Sequence, residues 1–478
     1  MSELSKPREL HGFRLFGYSI GQFGYFLTRL LISVFAFQYY VYTVNLDAIL
    51  ASIGISINLI LNAIALIIFG VIADNKKPGR FGKRRPFMLY GLPIWVTSAI
   101  LIWIPPWYCP KNNSFYWPTA LYFWIMLSLN VTSGSSIISA HLSMMPEQSQ
   151  TYKNREKIAA WRAFFMITAS ILALLLPLMI QSILTDPKNV KWWEPSGKVI
   201  LFYMPIIGVG FASFGLFSLI LTFFSVDESF HKKSTNDNYK KLTLIETFRQ
   251  MTIPAKDKKY RKFMAVSFFN AMASRILGLL VIPFLAFVLS FKGPEFFIYV
   301  IVSVSSKYAH FFLWKKVLKK YGLLKTYWLC LFSTVIASFL ELIFLVEILS
   351  FELEIVLFVI TIGTVLGTMY AVNLFTTPLA SALIYEAAEE KNERNLDKEV
   401  SNISGSYFGL QSFILAFGQS MSTIMIGFIL SGANEENPII ITITLASMGI
   451  FYFISLLFLR KINLKRVSVE ILKSEIIE

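Results

Sequence analysis

The chain runs repeatedly through apolar stretches of about 20 residues or more, the length a helix needs to cross roughly 30 Å of hydrocarbon. Of its 478 residues 55% are hydrophobic and only 15% are charged, whereas soluble domains carry roughly 25% charged residues. Backbone groups in lipid need internal partners, which helices supply, and the short alternating segments of a β-barrel are absent. The sequence therefore predicts an all-α, multi-pass membrane protein.

Twelve apolar segments can be counted, and their flanking charges predict an orientation. With the amino terminus inside, 36 of the 44 lysines and arginines fall in inner segments, five fall in outer loops and three lie within spans. Such a bias follows the positive-inside rule and predicts that both termini are cytoplasmic. The segments are 16–42, 47–73, 87–106, 117–145, 161–184, 199–225, 263–290, 296–314, 327–349, 354–385, 404–430 and 438–459.

Several classes of function are disfavoured by the same sequence. The net charge of +15 lies in loops between apolar segments, so it indicates cytoplasmic loops rather than a nucleic-acid partner. No metal-ligand spacing, phosphate loop or catalytic triad stands out, which predicts neither an enzyme nor a cofactor or metal site. Cys109 and Cys330 are expected at different membrane faces or depths, so no disulfide is predicted.

A long polar segment divides the spans into two sets of six. Residues 226–262 are rich in lysine and are predicted to link a bundle over 1–225 to a bundle over 263–460, with a cytoplasmic tail over 461–478. A short amphipathic helix is expected around Leu242–Thr252. The loops after spans 2 and 8 are both basic, which is a weak internal repeat. Two six-helix bundles suit a secondary transporter that rocks one half against the other.

The segment between spans 2 and 3 carries the clearest motif. Gly70 and Asp74 end an apolar run, and Gly82, Arg84 and Arg85 follow in a basic loop. A small residue lets helices approach closely, and a carboxylate at a helix C-terminus is disfavoured unless it finds a partner. These five residues are predicted to form a gating latch that is closed in one state only. The alternative is that the basic residues merely fix topology.

This motif resembles the loop signature of the major facilitator superfamily. The sequence from Arg80 to Pro86 is similar, more specifically, to the glycoside-pentoside-hexuronide cation symporter family. Two further segments carry the resemblance, Pro146–Arg162 in the first half and Tyr385–Gln411 in the second. The resemblance implies the major facilitator fold and transport of a sugar-like solute across the plasma membrane.

The chain departs from melibiose-type members of that family where the coupling cation binds. In those members helix 2 carries two carboxylates, and the matching residues here are Asn62 and Leu66. The positions that match sugar-binding aspartates hold Phe26 and a residue near Ile138, and the helix 11 lysine falls near Ala416. Arg162 survives at a position implicated in sugar contact. We therefore expect proton coupling or uniport rather than sodium coupling.

Ionisable and amide side chains within the spans are functional candidates, because charge in hydrocarbon is costly. Arginine can fork onto a carboxylate or onto vicinal oxygens, and histidine can carry a proton near neutral pH. Each also has a structural alternative, such as a pairing of Arg29 with Glu341. The predicted substrate-binding or coupling residues are Arg29, Asn62, His141, Arg162, Arg275, Lys307, Asn373 and Gln411.

The favoured hypothesis is a secondary-active transporter of a sugar, glycoside or related organic solute, with protons and membrane lipids as its other partners. Two alternatives stay open from the sequence. One is a non-transporting membrane sensor or scaffold derived from a transporter, and the other is a transporter of a lipid-like amphiphile.

Overall fold

The computed structural model describes residues 8–228, 243–346, 350–391 and 396–464. These residues form helices and connecting loops, and they belong to two compact units, Met1–Leu244 and Ile245–Glu478. The division falls within the segment predicted as a linker, of which 229–242 lie outside the described residues, as does most of the predicted tail.

Unit 1 contains six long helices in its described part. Helix α1 continues into a π-helical turn, Tyr39–Thr43, and α3 begins directly after the basic loop. The helices are α1 Gly12–Gln38, α2 Ala48–Asn75, α3 Arg85–Leu101, α4 Trp117–Gln148, α5 Tyr152–Ser182 and α6 Pro195–Ser225.

Unit 2 opens with a short helix, α7, which starts at the last residue of unit 1. Its longer helices then follow, with a π-turn after α8 and a 3₁₀ turn, Glu341–Leu345, after α10. The helices are α7 Leu244–Thr252, α8 Lys258–Pro283, α9 Phe296–Tyr321, α10 Leu323–Leu340, α11 Phe351–Ala371, α12 Asn373–Lys391, α13 Leu396–Leu430, α14 Pro438–Ala446 and α15 Met448–Leu459.

Eleven helical segments in the described part of the chain are long and apolar enough to cross a membrane. Helices α11 and α12 count as one segment, Phe351–Glu390, and so do α14 and α15. Helix α3 has 17 residues and is the predicted span outside this set. The multi-pass helical class is confirmed, whereas the count of twelve and the placement of the termini stay predictions.

Helices α1 and α6 of unit 1 pack closely through small residues. A Cβ atom added at Gly17, Gly21 or Gly24 would lie 2.0–2.2 Å from a hydroxyl oxygen of α6. At Gly24 the oxygen belongs to Ser218, and the Cα of Gly215 would be 2.7 Å away. Small residues allow this approach in membranes, where no hydrophobic force drives helices together.

Both units end their first long helix in the same way. In unit 1 the π-turn Tyr39–Thr43 precedes Asn45, which has φ +69°, and Leu46 N–H donates to Tyr40 C=O at 2.8 Å. In unit 2 the π-turn Phe284–Val288 precedes Ser290, with φ +53°. Positive φ is uncommon outside glycine, so a shared pattern at equal spacing indicates that the units are structural repeats.

Helix pairing supports the same repeat. In unit 1, α1 packs on α5 and α6, α2 on α4, and α3 on α6. In unit 2, α8 packs on α13 and α15, α9 on α11, and α10 on α15. When α7 is left out and α11–α12 and α14–α15 each count as one segment, the first segment of each unit contacts the fifth and sixth, the second contacts the fourth, and the third contacts the sixth.

Candidate functional site

Arg162 of α5 is the centre of a polar contact at membrane depth in unit 1. Its Nη2 donates to Gln22 Oε1 on α1 at 3.2 Å, and its Nη1 lies 3.4 Å from the Met145 sulfur on α4. The buried Nε has no hydrogen-bond partner among the described residues. The guanidinium thus has one N–H donor that no described residue satisfies.

A second polar contact joins α2 to α4. Ser135 Oγ donates to Asn62 Oδ1 at 3.0 Å, and both side chains are polar groups within apolar helices. Ser135 precedes Met145 by ten residues, or roughly 15 Å of helix. Asn62, one of the positions where the resembling family carries a carboxylate, is therefore engaged in a neutral hydrogen bond. Leu66, the other, packs against the hydrophobic core of unit 1.

Three side chains on one side of helix α1 become more exposed along the helix. Gln22, Phe26 and Arg29 recur at intervals of four and three residues, so they share one side of the helix. Gln22 is buried, Phe26 is half-buried and Arg29 is exposed in the structure of the chain. Arg29 therefore lies on the same helix face as Gln22, the partner of Arg162.

His141 lies in the interior of unit 1 and is fully buried. Its ring centroid is 4.6 Å from that of Tyr18, whose hydroxyl donates to the His141 carbonyl oxygen at 2.6 Å. Gly21 lies close beside it, since an added Cβ would come 3.0 Å from His141 Cε1. Neither ring nitrogen has a hydrogen-bond partner among the described residues. The structure separates this histidine from the exposed side of α1.

The unit 2 candidates lie on four different helices. Arg275 of α8 is buried and its Nε donates to Thr423 Oγ1 on α13 at 3.0 Å. Lys307 on α9 and Gln411 on α13 are half-buried. Asn373 is exposed at the start of α12 and donates to Tyr370 C=O at 3.2 Å. Their proposed role in binding stays a prediction.

Two acidic residues of unit 2 have contrasting surroundings. Glu386 of α12 is buried and pairs with Lys259 Nζ at 2.5 Å. Glu341 is fully buried in the turn after α10, and neither of its carboxyl oxygens has a hydrogen-bond partner in the described part of the chain. Among the described residues Glu341 therefore has no hydrogen-bonded partner that would make it a counter-ion.

The basic loop between α2 and α3 is closed by a carboxylate from beyond α6. Glu228 is fully buried and accepts hydrogen bonds from the backbone N–H groups of Arg84, at 3.0 and 3.1 Å, and Arg85, at 3.1 Å. These are orphan donors at the start of α3, where a negative charge is favoured. Gly82 has φ +92°, and a Cβ there would lie 2.1 Å from Glu228 Oε2.

Side chains of the same loop reach α4 and α6. Arg84 Nη2 pairs with Glu147 Oε1 at 3.0 Å, and the Arg85 guanidinium lies over the Phe223 ring at 5.2 Å. At Gly70 the expected close helix approach is not found, since an added Cβ would be 3.7 Å from Ser139 Oγ, an ordinary contact. The side chain of Asp74 lies outside the described part.

The residues before α1 bind the turn between α4 and α5 and the first turn of α5. Asn154 is buried; its Oδ1 accepts from Leu10 N–H at 3.0 Å and its Nδ2 donates to Leu10 C=O at 2.8 Å. Gln150 exchanges a similar pair of bonds with the Arg8 backbone. We call residues 8–10, held in this way, the amino-terminal strap.

Sequence reasoning did not predict the hydrogen bonds that Ser135, Glu228 and Asn154 make in unit 1. Glu228 offered a signal, since it follows the last apolar residues of α6 on the predicted inner face, where the basic loop also lies. Asn154 was noted only as part of a family-like loop. Its partner is a backbone group 144 residues away, which a side-chain pattern does not reveal.

The repeated helical units and the polar side chains at membrane depth define the chain as a multi-pass membrane protein of the solute-carrier type. A family model described as MFS/sugar transport protein matches residues 17–463. The chain belongs to this family, which is one of transporters and not of enzymes.

One curated relative is described as an uncharacterized symporter from Synechocystis sp. It is 26% identical over 195 residues, which are 41% of this chain and 36% of the relative. The chain thus spans about a third of the length of that relative.

Solved structures share the fold at low sequence identity. A bacterial homologue of the human lysosomal transporter Spinster has a TM-score of 0.61 at 12% identity, covering 95% of this chain and 98% of its own. The nucleoside transporter NupG has a TM-score of 0.60 at 11% identity, covering 94% and 99%. A D-xylose-proton symporter has a TM-score of 0.60 at 14% identity, covering 94% of this chain and 97% of its own.

Proposed function

We propose that the protein is a secondary transporter of a sugar, glycoside or related organic solute, coupled to protons or working as a uniporter rather than driven by sodium. The observation that carries this proposal is the Arg162 guanidinium, whose Nη2 donates to Gln22 and whose Nε has no partner among the described residues. A buried donor without an acceptor costs free energy. A hydroxyl or carboxylate oxygen of a solute would supply that acceptor.

The polar side chains of α1 and α2 support a hydroxyl-rich ligand. Gln22 and Asn62 carry amides, which both donate and accept, and the half-buried ring of Phe26 lies between Gln22 and Arg29 on α1. Polar groups set in an apolar surface are the usual make-up of a small-molecule site. The family description, sugar transport, agrees with this ligand class.

The residues of α2 support the coupling part of the proposal. Sodium favours several oxygen ligands, usually including carboxylates, and α2 offers Asn62 and Leu66 instead. His141 and Glu386 are the titratable candidates for a coupling proton.

Substitution of Arg162 in reconstituted protein tests the site. In proteoliposomes offered radiolabelled sugars, glycosides and uronides, Arg162→Ala should raise the KM for the transported solute about 30-fold, the loss of roughly 2 kcal/mol from one charged hydrogen bond. Lys157→Ala, an exposed cation on the same helix, should leave the KM unchanged. Equal kinetics for the two variants would refute the assignment of Arg162.

The driving ion is tested separately with the unmodified protein. Uptake should persist when sodium is replaced by choline, and it should either follow an imposed pH gradient or only equilibrate the solute. A strict requirement for sodium would overturn the coupling part of the proposal, and no flux of any offered solute would overturn the substrate class.

A further inference from the structure

Helix α7 has an exposed apolar face that the transport site does not use. Ile245 is 81% exposed and Phe248 38% exposed, and a spacing of three residues puts them on one side of the helix. Leu244 extends the same side, one turn before Phe248. Glu246 and Gln250 lie on the opposite side, so the helix is amphipathic, and Leu244, Ile245 and Phe248 are exposed.

The position of α7 is fixed at the ends of membrane-crossing helices. Met251 is buried, and its methyl group would lie 3.2 Å from a Cβ added at Gly409 of α13. The crossing segment that contains α8 begins at Lys258, six residues after α7 ends. These contacts hold α7 beside the starts of the candidate membrane spans Lys258–Val288 and Ile403–Leu430.

Exposed cations lie on α7 and on the segment that follows it. Arg249, Lys256 and Lys258 are exposed and make no ion pair within the part of the chain that the structure describes. Lys259 differs, because it is held by Glu386. Asp257 is also engaged, since it accepts from the N–H groups of Lys259 and Tyr260 at the start of α8.

We infer that α7 is a membrane-surface anchor that binds the anionic leaflet bordering unit 2. Ile245 and Phe248 enter the boundary between headgroups and acyl chains, and Arg249, Lys256 and Lys258 contact lipid phosphates. An amphipathic helix with bulky apolar residues and basic residues beside them binds such a surface through apolar burial and through attraction to anionic lipids. Each cation near an anionic leaflet adds to that attraction. The inference concerns lipid and is independent of the transported solute.

Spin labels on single introduced cysteines test the anchor. Ile245→Cys, Phe248→Cys and Gln250→Cys are labelled in the full-length protein and reconstituted into vesicles with and without phosphatidylglycerol. The unsubstituted protein is the labelling control, because Cys109 and Cys330 are both buried. Collision rates with oxygen, which partitions into lipid, and with a water-soluble nickel chelate are then compared at each position.

Labels at 245 and 248 should collide more often with oxygen than with the nickel chelate, and the label at 250 should show the reverse. The triple substitution R249Q, K256Q and K258Q neutralises all three cations. It should reduce the difference in collision rates that the label at 245 shows between anionic and neutral vesicles. Nickel access at 245 equal to that at 250 would overturn the inference. Low access to both reagents at 245 and 248 would also overturn it, because protein would then cover the face.

Discussion

A single carboxylate, that of Glu228, organises the basic loop of unit 1. It is fully buried and accepts hydrogen bonds from the backbone N–H groups of Arg84 and Arg85. The residue that allows this is Gly82, since any Cβ there would meet the carboxylate. The glycine of the motif is thus explained by a contact with the segment after α6.

This contact predicts a matched pair of glycine variants. Gly82→Ala should destabilise the protein by about 2 kcal/mol or more, because the alanine is strained at positive φ and displaces the buried cap. Gly79→Ala should be nearly neutral, since nothing lies within 4 Å of an added Cβ. The stability of both variants is measured by heating the detergent-solubilised protein and determining the remaining folded fraction by size-exclusion chromatography.

A double variant identifies the cause. If Gly82→Ala acts through Glu228, the cap is already lost in that variant. Glu228→Ala should then reduce the stability of the Gly82→Ala protein much less than that of the unsubstituted protein. Additive losses would contradict the shared contact. Glu156→Ala removes an exposed acid and is the control for lost charge.

At the scale of elements, sequence patterns predicted the long apolar helices well, because each needs only a run of local apolar residues. The predicted segment 438–459 agrees with Pro438–Leu459, and 117–145 with Trp117–Met145. The π-turns and the amino-terminal strap were not predicted. Both depend on backbone hydrogen bonds that many side chains permit, so composition does not record them.

The strap gives a prediction of its own. Asn154→Ala removes both bonds to the Leu10 backbone and should release residues 8–10, with a loss of about 1–2 kcal/mol for a buried amide pair. Limited trypsin treatment should then cleave after Arg8 faster than in the unsubstituted protein. The exposed neighbour Lys153→Ala should leave the cleavage rate unchanged, and an unchanged rate for Asn154→Ala would refute the strap.

At the scale of the whole molecule, the repeat of the two units is clearer in the backbone than in the sequence. The residues of the two π-turns differ, Tyr-Tyr-Val-Tyr-Thr against Phe-Leu-Ala-Phe-Val, yet the turns share hydrogen bonds and a following positive φ. The basic loops after spans 2 and 8 pointed to the repeat only weakly. The polar site was harder to predict, because Arg162 and Gln22 are 140 residues apart and neither position reveals its partner.

Orientation in the membrane is the remaining global prediction. Lys188→Cys in a predicted outer loop should react with a membrane-impermeant maleimide in intact cells, and Lys77→Cys only after permeabilisation. Native thiols should add little background, since both are buried and burial raises the pKa of the Cys109 thiol to about 11. The reverse labelling pattern would contradict cytoplasmic termini.

The cap of α3 has a consequence for how the protein is made. Arg84 and Glu228 are 144 residues apart, so at about 5–20 residues per second a ribosome needs roughly 7–30 s to pass from one to the other. Throughout that interval the first N–H groups of α3 lack their carboxylate. Nascent chains that stop before residue 228 should therefore lack the cap and expose the basic loop.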